Sequence, residues 1–442
     1  MPERTIQRSL GYALPATAVV ALIVLSDSLS PLARFGGATV GLFLAIKSGS
    51  SLLVAARRAQ PPLSPLQTVL FWLVWPGVRP DRFAGCGDDV DLGADTFVTG
   101  YAYLMVGLAL MVTSMLVVPV VGMSVSTWLL LVAFLAAVHS GVGRLLPFGL
   151  RWFGLSIPRL FDDPLRSRSV AAFWSRRWNR PFIEMNRLFV TGPLASRVGT
   201  GAAAFAGFVV SGLLHELAIS YPAGAGWGLP LIYFLVQAVA YTVETYLFPD
   251  TIATHPWAGR VWMILVVVGP MPLLFHAPFR MTFLAPLVEA GRSLLMAYPL
   301  SAYVSVGLWI GAAGHFLVLT ASFQVPRELE WHSDLASLKP LNRKLLWTYG
   351  GYIAAMIVAF GVVTLVFHRQ LVAGTPVALG LCMLIVLFWT ARVLIDGFYF
   401  SQEDWPDGPE YVVGHTMLTS LFVALIAIYG GTFAAHVASV PI

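Results

Sequence analysis

A histidine and a glutamate stand side by side in an apolar run, SGLLHELAIS, as His215 and Glu216. Ionisable groups in such a helix are costly unless they face a cavity or a partner, so the pair reads as a site where an imidazole can move a proton. Zinc is not expected there, because a metal-binding helix of this type needs a second histidine four residues on, and Ile219 occupies that place. Adjacent residues project about 100° apart on a helix, so Glu216 is not expected to orient His215, whereas Ser211 shares its face one turn earlier.

The segment upstream, residues 144–197, holds ten arginines against only Asp162, Asp163 and Glu184. It reads either as a topology signal lying on anionic headgroups or as the entry port for a polyanion such as a coenzyme A pyrophosphate, whose oxygens fit arginine forks. Within it stands Phe173-Trp174-Ser175-Arg176-Arg177-Trp178-Asn179, whose last residue lies thirty-six positions before His215. The i, i+4 spacing of Trp174 and Trp178 predicts one shared face of an interfacial helix, with Arg177 turned away. Gln237, Tyr241 and Glu244 follow at i, i+4, i+7, a face that lines the same chamber or bonds helix to helix. Lys47, inside an apolar block, is expected to snorkel or to pair with an acid. His139, His276, His315, His415 and His436 fall near the ends of apolar blocks and are expected at the interface.

The elements that must position these groups are membrane helices. The chain is 57% hydrophobic and 11% charged, with a mean hydropathy of +0.77, where a soluble domain is roughly 45–50% apolar and roughly a quarter charged. Apolar blocks of spanning length fall at 10–27, 34–56, 98–120, 126–143, 198–220, 228–248, 259–277, 302–322, 346–368, 376–398 and 414–437, which predicts an all-α polytopic protein with about eleven crossings around an intramembrane chamber. The first block is read as an uncleaved first helix, since it lacks a small-x-small cleavage site. With the N-terminus and the arginine-rich segment in the cytoplasm, 21 of the 27 Lys and Arg residues fall on that side. The net charge of +5 is therefore read as topology, and no nucleic-acid partner is expected. Cys86 and Cys382 make neither a disulfide framework nor a metal site. QTVLFWLVWPGVRP, ended by Pro76 and Pro80, is too short to cross and predicts an interfacial or re-entrant piece with Trp72 and Trp75 at headgroup depth. The stretch 282–300 reads as a surface helix or a further span interrupted by Glu289 and Arg292. The unusual features thin out near residue 300, which predicts a first domain at 1–300 and a four-helix accessory block at 301–442.

The two motifs, Phe173-Trp174…Arg176-Arg177-Trp178-Asn179 and His215-Glu216-Leu217-Ala218-Ile219-Ser220, resemble the paired signature of the membrane-bound O-acyltransferase superfamily, above all its wax-synthase branch. Trp75-Pro76-Gly77 is similar to an early element of that branch. The resemblance implies His215 and Asn179 as the catalytic pair, with Trp174, Arg176, Arg177, Trp178, Ser211, Glu216, Gln237 and Glu244 around the substrates. It also implies acyl-CoA as co-substrate, a lipophilic alcohol as acceptor and no cofactor. Transfer from a thioester to an alcohol needs a base for the hydroxyl proton, which His215 can supply. Asn179 either donates its amide to the thioester carbonyl or holds the hydroxyl in line. No nucleophilic serine elbow or reactive cysteine is evident, so direct transfer is expected rather than an acyl-enzyme. Two other classes stay open: a proton-coupled transporter or lipid-handling protein, for which an internal repeat is expected and none is found, and a non-catalytic scaffold, which has no need of two motifs facing one cavity.

Overall fold

The computed structural model describes residues 2–25, 28–57, 63–84, 94–155, 157, 159–247, 255–400 and 408–438; Cys86 and residues 401–407 of the last polar loop lie outside them. Regular structure among the described residues is entirely helical, and ten helices are long and apolar enough to cross a membrane. The remaining expected crossing, 228–248, forms the helix Leu229–Tyr246, but Gln237, Glu244 and three tyrosines keep it out of that set. Val118–Leu150 is a single element, broken locally at Gly122, whose φ of 77° and ψ of 165° leave the helical region. The stretch 282–300 is helical through Ala285–Met296, only 12 residues after a π-turn at Arg280–Leu284, and is not one of the ten.

The chain divides into two compact units, Met1–Arg292 and Ser293–Ile442. In the second, the helices Leu300–Glu328, Pro340–Val366, Pro376–Phe398 and Pro409–Val437 enclose a core around Leu308, Ile385, Trp389 and Tyr429. His315 is fully buried there: its Nδ1 donates to the Gly311 carbonyl at 2.8 Å, so Nε2 carries the lone pair that accepts the Trp389 indole N–H at 3.1 Å. Asp396 accepts from Arg392, His415 and Thr419 at 3.1, 2.8 and 2.8 Å, the first across one turn of its own helix. Both are satisfied structural centres, and His315 is a core residue rather than an interfacial one.

In the first unit, the stretch leading to Trp75 is a short helix, Pro65–Leu73, opened by a capping box of Ser64 and Gln67. Trp75 is buried with Phe71, Phe83 and Leu160. Its indole folds back over Gly77, where any Cβ would collide with the ring. Lys47 neither snorkels nor pairs with an acid. Fully buried, its ammonium donates to the Phe71 carbonyl and, at 2.6 Å, to the Trp75 carbonyl, over the face of Phe71 at 4.2 Å. It thus caps carbonyls that the end of a helix leaves orphaned, where the helix dipole favours a cation. Lys47→Met is expected to lower stability by roughly 1–3 kcal/mol, because two buried carbonyls lose their donor. Thermal unfolding in detergent checks this, and an unchanged transition would remove Lys47 as the anchor of this helix.

Candidate active site

His215 ends the helix Thr200–His215, and a π-turn, Glu216–Ser220, continues the element. Such turns insert a residue into the helical repeat and recur at functional sites. His215 Nδ1 lies 2.7 Å from the Ser211 carbonyl oxygen. A carbonyl only accepts, so Nδ1 carries the proton and a neutral ring keeps its lone pair on Nε2. Ser211 acts here through its backbone, while its hydroxyl donates to the Gly207 carbonyl at 2.8 Å. Phe234 holds the imidazole at 4.5 Å between ring centres and Phe182 at 6.4 Å.

Asn179 is presented by a second π-turn. Phe173–Arg177 winds as a π-helix and stops at Trp178, whose backbone is extended. Trp174 and Trp178 therefore do not share a helix face. Trp178 instead stacks on Phe173 at 5.5 Å and 12°, while Trp174 donates its indole N–H to Gln237 Oε1 at 3.1 Å. Asn179 adopts a left-handed conformation, φ 40°, which Asn tolerates better than most residues. Its Oδ1 accepts the Phe182 N–H at 3.2 Å, capping the helix Arg180–Asn186. A backbone N–H must meet an oxygen, so the amide orientation is fixed and the Asn179 NH₂ remains as a donor.

His215 and Asn179 line one cavity of about 660 Å³. Its walls come from Leu42 and Phe43, from Pro76 and Val78 beyond the helix Pro65–Leu73, and from Phe161 and Met185. Thr39 also borders it, but its hydroxyl donates to the Phe35 carbonyl at 2.7 Å. A second cavity of about 580 Å³ is lined by Trp174, Ser211, Tyr241 and Arg187, with Phe182 on the border of both. The expected residues thus distribute over two chambers.

The others border neither chamber. Glu244, nearly buried, accepts the N–H groups of Val170 and Ala171 at 2.7 and 2.9 Å, an anion at the start of the helical segment that leads to Asn179. Gln237 joins Trp174 to the Val266 carbonyl at 2.8 Å. Glu216 Oε1 accepts the Leu231 N–H at 3.0 Å, capping the next helix. Arg177 donates to the Asp162 carbonyl at 3.0 Å, and Arg176 is exposed. Gln237, Glu244 and Glu216 thus support the elements that carry the site.

Three features escaped the sequence reading. Buried Ser220 and His276 lie 3.2 Å apart, although His276 was expected at the interface. The pair is not a nucleophile and base. His276 Nδ1 accepts the Phe279 N–H at 3.2 Å, so Nε2 holds the proton and donates to Ser220, which passes its own to the Gly226 carbonyl. Second, burial raises the pKa of the Glu184 carboxyl against the opposing pull of Arg79, Arg82 and Arg180. Third, His139 borders the same cavity as His215 and Asn179.

Residues 157–236, which hold both Asn179 and His215, match the model of the Membrane bound O-acyl transferase family. The chain is 33% identical over 102 residues to Acyl-CoA–sterol O-acyltransferase 1 of Arabidopsis thaliana, covering 20% of this chain and 28% of that one. It is 37% identical over 79 residues to Probable long-chain-alcohol O-fatty-acyltransferase 2 of the same plant, covering 15% and 22%. The chain thus spans less than a third of the length of these curated relatives. No solved structure matches.

Proposed function

We propose that this chain, whose residues 157–236 match the Membrane bound O-acyl transferase family model, moves a fatty acyl group from acyl-CoA to the hydroxyl of a lipophilic alcohol, as in wax-ester or related lipid-ester synthesis. One observation carries the reading: a single apolar cavity bordered by a lone-pair imidazole nitrogen and an amide donor. In this mechanism His215 Nε2 takes the hydroxyl proton as the alcohol oxygen attacks the thioester carbonyl. The Asn179 NH₂ donates to the carbonyl oxygen as it becomes negative. Collapse breaks the C–S bond, and the departing thiolate takes the proton from His215. Glu244 uses both carboxylate oxygens on backbone N–H groups, which weighs against a proton relay through it.

The donor headgroup is assigned to the cytoplasmic side. Arg79, Arg82 and Arg180, near Glu184, belong to segments that the Lys and Arg distribution orients towards the cytoplasm. The guanidinium forks of Arg82 and Arg180 suit the coenzyme A phosphates, while Arg79 is held by the Asp81 carboxylate. Incubating the purified protein with labelled acyl-CoA and a panel of fatty alcohols, sterols and glycerolipids, with mass spectrometry of the products, tests the reading. Release of free coenzyme A without ester from any acceptor would overturn it.

Residues 301–442 are proposed as an accessory block that contributes nothing to the reaction centre, because their buried polar groups already satisfy one another. His315→Ala, Asp396→Ala and His415→Ala are expected to lower thermal stability while leaving transfer per folded molecule within about twofold, as is usual away from a reaction centre. Loss of transfer at unchanged stability in any of the three would contradict the accessory role.

A further inference from the structure

Resting on the acyltransferase reading, we propose that His139 is a third polar contact for the substrate, hydrogen-bonding the oxygen head of the acceptor alcohol and so determining which acceptors reach His215. His139 lies in a π-helical stretch, Leu135–Val142, of another span. It borders the cavity shared by His215 and Asn179. Its ring is fixed on one face by Trp178, at 5.4 Å and 9°, and at an angle by Phe161, at 5.2 Å and 60°. Phe173, Trp178 and His139 thereby form one stack, and Trp178 directly precedes Asn179.

The chemistry follows from what is already engaged. His139 Nδ1 is buried and has no hydrogen-bond partner, an arrangement that is costly unless a ligand completes it. Of the other polar atoms around the cavity, the Thr39 hydroxyl, Asn179 Oδ1 and His215 Nδ1 are committed to Phe35, Phe182 and Ser211, which leaves the Asn179 NH₂ and His215 Nε2 to the reacting groups. A hydroxyl that gives its proton to His215 Nε2 still has oxygen lone pairs to be held, and the Nδ1–H tautomer of His139 supplies a donor for one of them. The remaining wall is largely apolar, which suits a lipid body with one small polar head.

His139→Phe keeps an aromatic ring against Trp178 and Phe161 and removes the nitrogen; His139→Asn restores an amide donor near the position of Nδ1. With the full-length protein in detergent, His139→Phe is expected to raise KM for hexadecan-1-ol roughly tenfold, the loss of about one hydrogen bond, with KM for palmitoyl-CoA unchanged, and His139→Asn to recover part of it. Direct binding of tritiated hexadecan-1-ol, without donor, should weaken in the same order. Equal KM values for both substrates in wild type and His139→Phe, or the same alcohol affinity in all three proteins, would overturn the inference. If His139→Phe unfolds, the comparison of wild type with His139→Asn decides: it must differ in alcohol affinity and not in palmitoyl-CoA affinity. Binding that depends on His139 without ester formation would sink the acyltransferase reading and leave the inference standing. Absence of saturable hexadecan-1-ol binding to the wild type would overturn the inference, whatever turnover shows.

Discussion

His215→Ala is expected to lower acyl transfer by roughly 10²–10⁴-fold, the usual contribution of a general base, with little change in thermal stability. The ring leaves a space against Phe234 and Phe182 but strands no buried donor. Its hydrogen-bond partner among the described residues, the Ser211 carbonyl, is part of a helical ladder. His215→Gln is the sharper variant, since it keeps bulk and hydrogen bonding but offers no basic nitrogen. The loss should lie in kcat rather than in KM for either substrate, because the proton moves only as the transition state forms. Turnover near the wild-type rate in either variant, with the ester identified by mass spectrometry, would show that the proton goes elsewhere.

The legible part of this site was the part written in local sequence. An ionisable pair inside an apolar run stands out by its expense, whereas the pairing of His215 with Asn179 across thirty-six residues came from the resemblance of the two motifs to a family signature. Inferences from ideal helical spacing fared worse. The i, i+4 relation of Trp174 and Trp178 assumed 3.6 residues per turn, whereas a π-turn intervenes and the helix stops at Trp178. Lys47 was unreadable for another reason: its partners are carbonyls of a different element, and carbonyls have no residue type. Glu244 and Glu216 share that difficulty, since each caps a backbone fifteen or more residues away. His139 carries no local signal, as a histidine near the end of an apolar block is ordinary. It becomes notable only through its stack on Trp178 and its place on the cavity. The crossings were legible wherever hydropathy alone decides, and least so at Leu229–Tyr246, whose polar residues face partners inside the first unit.

Asn179→Asp separates two jobs that Asn179→Ala would confound. In the wild type, Oδ1 caps the helix Arg180–Asn186 while the NH₂ is left as a donor. Alanine removes both and must also hold the left-handed φ of 40°, so about 1 kcal/mol of capping and about 1–2 kcal/mol of backbone preference are lost with it. Aspartate still caps, since its carboxylate accepts from the Phe182 N–H, and it tolerates the same backbone conformation. It offers no N–H, however, and sets a negative charge beside an oxygen that is itself becoming negative. The expected result is a fall of about 10²–10³-fold in kcat, as for loss of an oxyanion donor, at an essentially unchanged melting temperature. Alanine should lose both rate and stability. An Asn179→Asp protein that turns over normally would remove the donor from the mechanism and leave Asn179 as a helix cap; one that melts early would mean that the cap needs more than an acceptor oxygen.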